Sequence, residues 1–164
     1  MKKLYNNLTI ENLIKTEWFN QFNIEQQEQI KLGLLSKVDI SKYANLKFTW
    51  TQMDEIRKGL ENKLDISIYA TTDFTDWEME EIRLGLEANL DASIYANNEY
   101  DWDQMRQIRL GLKSGVDISK YATPEFDSKK MQRIRLRLED RTDISAFVFS
   151  NYKEKQMKLI KKKC

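Results

Sequence analysis

Gly33, Gly59, Gly85 and Gly111 stand 26 residues apart, and the same interval runs through most of the chain. Ile30, Ile56, Ile82, Ile108, Ile134 and Ile160 keep it, and so do Leu34, Leu60, Leu86, Leu112 and Leu138. Asp39, Asp65, Asp91, Asp117 and Asp143 follow the same count, each with a serine two residues on. Tyr43, Tyr69, Tyr95 and Tyr121 form a series that ends in Phe147, and an aromatic opens each copy at Phe22, Phe48, Phe74, Tyr100, Phe126 and Tyr152. No insertion or deletion breaks the register from Phe22 to Ile160. A constant period of this length marks a tandem array: one unit is too small to bury its own apolar face, and stacked copies bury it together.

Each unit reads as helical. In the second copy Trp50, Met53, Ile56, Leu60 and Leu64 recur at three- and four-residue spacing, the apolar stripe of an amphipathic helix of three to four turns. Thr49, Asp101 and Asp127 stand where an N-cap oxygen would satisfy a free backbone N–H. Met53, Met79, Met105, Met131 and Met157 mark a slot for an adaptable apolar side chain. The recurring glycine falls inside this helix, where it costs about 1 kcal/mol against alanine. That cost, repeated four times, predicts the close approach of a backbone or a ring. Asn89 and Gly115 fall at the helix end, suited to a left-handed cap. Asp65-Ile66-Ser67-Ile68-Tyr69-Ala70 then reads as a short second helix capped by Asp65. The predicted fold is all-α, a short solenoid of about five helix–turn–short-helix repeats over 22–151. Residues 1–21 form an N-terminal cap closed by Trp18 and Phe19, and residues 152–164 a truncated sixth copy with a basic tail.

What the chain lacks narrows its chemistry. Among 164 residues there is no histidine, and the one cysteine is Cys164. Those counts exclude an intramolecular disulfide, Cys/His zinc sites and nucleophile–histidine pairs. Paired carboxylates such as Glu80-Glu81 and Asp101-Asp103 read as solvated surface with nothing to desolvate them for acid–base work. No segment has the ligand spacing of a calcium loop. No apolar run approaches the roughly 20 residues of a membrane span, and the basic start leads into polar residues, unlike a signal peptide. The expectation is a cytoplasmic protein with no cofactor, no metal and no catalytic activity.

Two ladders compete for a functional meaning. Arg57, Arg83, Arg109 and Arg135, headed by Lys31, read as a phosphate-tracking stripe or as partners of the Asp39-to-Asp143 series at the helix junctions. Serines 41, 67, 93, 119 and 145 read as helix-start hydrogen bonders, since no base is present to activate them.

Divergence between copies carries more information about a partner. Residues 71–103 hold ten acidic residues against Arg83 alone, a net charge of −9, whereas residues 104–164 carry +9. Near-neutrality overall therefore hides a bipolar molecule able to steer charged partners. Trp77 occupies a slot that is Thr51, Asp103 and Lys129 elsewhere, and Ile68 and Ile94 occupy one held by Lys42 and Lys120. A slot that takes lysine faces solvent, so these three read as exposed apolar residues; for Trp77 a packing swap with Trp50 or Trp102 is the other reading. The candidate surface is Asp73, Trp77, Glu78, Glu80, Glu81 and Asp103 with Ile68 and Ile94, offered to a protein with a basic surface. The alternative places the work in the basic end, where Lys129, Lys130, Arg133 and Arg137 would contact nucleic acid.

The unit Met79-x-x-Ile82-Arg83-x-Gly85-Leu86, Asp91-x-Ser93-x-Tyr95-Ala96, Tyr100-Asp101-Trp102 resembles short helical repeats in proteins of Firmicutes phages, plasmids and conjugative elements. The resemblance covers about 22–160 and brings no catalytic or ligand residue with it. It implies a small protein of a mobile element, comparable in setting to inhibitors of host defence such as anti-CRISPRs. On that resemblance the expected role is occlusion of a nucleic-acid-handling host enzyme.

Overall fold

The computed structural model describes residues 8–140, and every regular element in that span is helical. Two short helices, α1 (Ile10–Leu13) and α2 (Glu17–Asn20), precede five long ones: α3 (Ile24–Leu35), α4 (Trp50–Glu61), α5 (Asp76–Glu87), α6 (Trp102–Ser114) and α7 (Ser128–Glu139). Three-residue 3₁₀ turns at Ile40–Lys42, Ile66–Ile68, Ala92–Ile94 and Ile118–Lys120 follow α3 to α6, where the sequence suggests a second helix. The chain divides into two compact units, whose described parts are 8–105 and 106–140, with the boundary inside α6. Phe147, the truncated copy, the basic tail and Cys164 lie outside the described residues.

The first four long helices start and stop by the same chemistry each time. Asn23, Thr49, Thr75 and Asp101 each accept from the backbone N–H three residues on, and the side chain there (Gln26, Gln52, Glu78, Gln104) accepts from the cap residue's N–H in return. The helices end with Lys37, Lys63, Asn89 and Gly115 in the left-handed region, φ 58°, 57°, 55° and 69°. The next residue's N–H (Val38, Leu64, Leu90, Val116) reaches back to the carbonyl of Gly33, Gly59, Gly85 or Gly111 at 2.9–3.1 Å. This Schellman closure turns the chain sharply into the 3₁₀ turn. Asp39, Asp65, Asp91 and Asp117 then accept from the N–H of the serine two residues on, at 3.0–3.2 Å.

In the first unit α3 packs on α4 and α4 on α5. Ile30, Met53, Ile56, Met79, Ile82 and the tyrosines 43, 69 and 95 are wholly buried between them. Trp50, placed in the apolar stripe by its spacing, instead sits at the rim, 45% exposed. At the N-terminal end Phe19 is buried and Trp18 meets Phe22 edge-on at 5.2 Å.

The recurring glycine and tyrosine fit one another. Tyr43, Tyr69 and Tyr95 donate to the carbonyls of Gln29, Glu55 and Glu81 at 2.8, 3.3 and 3.1 Å, and in the second unit Tyr121 donates to Gln107 at 3.1 Å. Each hydroxyl lies where a Cβ of the facing glycine would stand, 1.7–1.9 Å from it. In the copy where glycine gives way to Arg137, tyrosine gives way to Phe147, which has no hydroxyl to place there.

Burial pushes the phenols of Tyr43, Tyr69 and Tyr121 well above the ordinary value near 10. The unfolded chain therefore releases these protons first, and the stability they contribute is full below about pH 10 and lost as pH rises beyond it. Of the seven phenols, at least three should ionise only together with helix loss in an alkaline titration. Absorbance equivalent to more than four phenolates while the helical signal is intact would contradict the burial.

Candidate functional site

Geometry resolves three rungs of the arginine ladder, Arg57, Arg83 and Arg135. Arg83 is 7% exposed, and its Nε donates to Glu55 of the preceding copy at 2.7 Å while Nη1 donates to Glu87 at 2.5 Å. Arg57 donates to Gln29 at 3.0 Å, Asp54 at 2.5 Å and Glu61 at 2.6 Å. In the second unit Arg135 reaches Gln107 at 3.2 Å and Glu139 at 2.7 Å. Of the expected partners, Asp39, Asp65, Asp91 and Asp117 accept from their own serines, and Asp143 lies outside the described residues. Ser67 and Ser119 hold the carboxyls of Asp65 and Asp117 below the usual range through their hydroxyls and amides. At Arg83 and Arg135 burial also removes the phosphate-stripe reading.

The acidic middle is a mixed set. Trp77 is 57% exposed and Ile94 41% exposed, as their lysine-tolerant slots imply; Ile68 is only half-exposed. Asp73 is exposed, and Glu78, Glu80 and Asp103 are half-buried. Glu81 corrects the sequence reading: at 7% exposure it is an interior residue, in the slot that Gln29, Glu55 and Gln107 fill in other copies. Carboxylate adjacency in sequence says nothing about facing, because neighbours on a helix point about 100° apart. At the basic end Lys129, Arg133 and Arg137 are exposed, whereas Lys130 places its ammonium 3.3 Å from the centroid of the Phe126 ring.

Trp77 meets Trp102 with ring centroids 5.6 Å apart and planes tilted by 39°. The pair does not bury Trp77, so both readings of that residue hold at once. Trp77 also forms one wall of a cleft of ≈ 150 Å³ completed by Trp50, Thr51, Asp54, Glu55, Asp76 and Glu80. Three tryptophans thus gather at the N-terminal ends of α4, α5 and α6. The sequence pointed to Trp77 and Glu80; Trp50, Asp54 and Asp76 were missed. The available signal was the common position of the three tryptophans at the starts of successive helices.

The carboxylates of the cleft are not equivalent. Asp54 is neutralised by Arg57 at 2.5 Å and Lys58 at 2.7 Å, and Glu55 by Arg83 and Lys58 at 2.7 and 2.8 Å. One copy later Leu84 replaces Lys58, and Arg83 is committed to Glu55 and Glu87. Asp76 and Glu80, four apart on one helix face, consequently have no cation paired with them among the described residues. Like charges at that spacing cost a few tenths of a kcal/mol.

Glu78 is a second local departure. Gln26 and Gln52, in its slot, donate from their amides to the carbonyls of Phe48 and Phe74 at 2.7 and 2.6 Å, tying each helix start to the next loop. A carboxylate cannot donate, and Glu78 turns its Oε2 to the N–H and hydroxyl of Thr75 at 2.7 and 2.9 Å.

Compared with protein-family models, with curated proteins and with solved structures, the chain matches none. Among the described residues no helix is long and apolar enough to cross a membrane.

Proposed function

We propose that this chain is a non-catalytic protein-binding scaffold, an α-solenoid of about five 26-residue repeats, that engages a basic protein partner through its acidic middle. The observation that carries the reading is the third copy's departure from the pattern of the two copies before it. Trp77 is exposed, Glu78 gives up the amide bond of its slot, and Asp76 and Glu80 lack the cations that neutralise Asp54. Places where a sequence breaks its own local rules at a stability cost are where function is expected. The resemblance to repeats of mobile elements supplies the setting: an anti-defence inhibitor of a nucleic-acid-handling enzyme, whose basic surface the acidic stretch would occlude.

The test is affinity capture with the full chain and with a D73K/E78K/E80K variant, the retained proteins identified by mass spectrometry. The expected result is a basic, nucleic-acid-binding protein held by the parent and lost from the variant, with on-rate and affinity falling at least tenfold. Glu78→Gln alone should weaken capture yet raise stability by about 0.5–1.5 kcal/mol, since it restores the amide donor of Gln26 and Gln52. Capture indifferent to charge reversal would sink the reading. Salt-sensitive DNA binding lost on neutralising Lys129, Lys130, Arg133 and Arg137 would move the work to the basic end.

A further inference from the structure

We infer that the cleft between Trp50 and Trp77 seats a single arginine side chain of the partner, its guanidinium against the indoles and its charge matched by Asp76 and Glu80. This rests on the reading of the acidic middle as a protein-binding surface and names the chemistry that surface recognises.

The size of the cleft comes first. At ≈ 150 Å³ it is below the roughly 300–1,000 Å³ of small-molecule pockets, yet large enough for the head of one side chain. Its walls are aromatic: Trp50 and Trp77 are 45% and 57% exposed, so their rings stand open to an incoming group. An exposed indole face attracts cations, and it holds a planar, weakly hydrated guanidinium better than a compact, strongly hydrated ammonium.

Charge selects the same ligand. Asp76, in the first turn of α5, offsets the positive end of its helix, and Glu78 is occupied by Thr75. Glu80 has neither duty and lines the cleft beside Asp76. The adjacent carboxylates of Asp54 and Glu55 already have their cations, so the charge left for a ligand to offset is that of Asp76 and Glu80. A phosphate group would meet two unpaired carboxylates and be repelled, which argues against nucleic acid as the occupant. An apolar side chain would leave both carboxylates without a counter-charge.

Indole N–H signals of the full chain in NMR give a direct test. The probe is N-acetyl-arginine methylamide, compared with the corresponding lysine and citrulline compounds; citrulline keeps the shape and removes the charge. Expected are saturable shifts of the Trp50 and Trp77 signals with the arginine probe and a still Trp18 signal. The lysine probe should bind about fivefold more weakly or worse, and citrulline should not bind. Glu80→Gln and Asp76→Asn should each weaken the arginine probe about five- to tenfold, and Trp77→Ala should abolish its effect with the helical signal unchanged. Equal response to lysine or citrulline, an unaltered response in Glu80→Gln, or shifts induced by a DNA oligonucleotide would overturn the assignment. So would concentration-dependent broadening of both signals, indifferent to arginine and removed by Trp77→Ala, because it would put a second copy of this chain in the cleft. A partner captured through Asp73 and Glu78 while the arginine probe leaves both indoles unmoved would refute the arginine seat and leave the protein-binding reading standing. An arginine-responsive cleft with capture indifferent to charge reversal would do the opposite.

Discussion

Replacing Glu55 with alanine should cost about 2–3 kcal/mol, the penalty for leaving a buried charged donor without its acceptor. Arg83 is 7% exposed and directs its Nε to Glu55 at 2.7 Å, so the truncation removes that acceptor and leaves the charge to Glu87 alone. Lys58 loses one of its two carboxylates as well. Glu55→Gln should behave differently, costing less than about 1.5 kcal/mol, the net worth of a hydrogen bond. The same slot holds Gln29 and Gln107, whose carbonyl oxygens accept from Arg57 and Arg135 at 3.0 and 3.2 Å, so an amide there already satisfies an arginine Nε. Arg83 would also keep Glu87 at 2.5 Å for its charge. Urea denaturation followed by circular dichroism separates the two variants. If Glu55→Gln proved as damaging as Glu55→Ala, charge rather than hydrogen bonding would hold this junction.

That junction shows where reading the sequence stopped short. The arginines are strictly periodic and so are the aspartates, which made them natural partners. Asp65 and Asp117 accept instead from serine two residues on, in a local turn. For Arg57, Arg83 and Arg135 the acceptor lies 28 residues earlier, in a slot filled by either glutamine or glutamate, and that mixture disguises it as an unremarkable polar position. Glu81 was misplaced for the same reason, since its slot is interior while its neighbour Glu80 is not.

Other features were accessible because their physics is local. Caps at Thr49, Asp101 and Asp127 follow from side-chain oxygens three residues before a helical stripe, and Asn89 and Gly115 do adopt the left-handed cap. Lys37 and Lys63 take that conformation too, which no propensity argument favours; the Schellman bonds to Gly33 and Gly59 hold them there. Exposure of Trp77 followed from the lysine that shares its slot. Its cleft did not follow, because Trp50 lies at the correct spacing for a core residue and only its place in the first turn of α4 leaves it at the rim.

Gly85→Ala tests the idea that unites fold and repeat, and it should reverse the usual sign. In an unhindered helix interior this change stabilises by about 1 kcal/mol. Here the new Cβ would stand 1.9 Å from the Tyr95 hydroxyl and 3.2 Å from the ring carbon that bears it. Tyr95 is wholly buried and rigid beyond two torsions, so it cannot swing clear without opening the core and breaking its 3.1 Å bond to Glu81. Overpacking of about 1–3 kcal/mol and a lost buried hydrogen bond of about 1–3 kcal/mol outweigh the propensity gain, for a net loss of roughly 2–3 kcal/mol. Gly115→Ala makes the control, because nothing lies within 4 Å of its Cβ and only the φ of 69° opposes it, at a cost of about 1–2 kcal/mol. The decisive variant is G85A/Y95F. Removing the hydroxyl leaves the ring carbon at 3.2 Å, a contact that a shift of a few tenths of an ångström relieves, so the double variant should recover most of what Gly85→Ala loses. The chain has made a related exchange itself, placing Arg137 and Phe147 in the same copy. If the double variant were no more stable than Gly85→Ala alone, the glycine would be serving the helix backbone, and its pairing with tyrosine would be incidental.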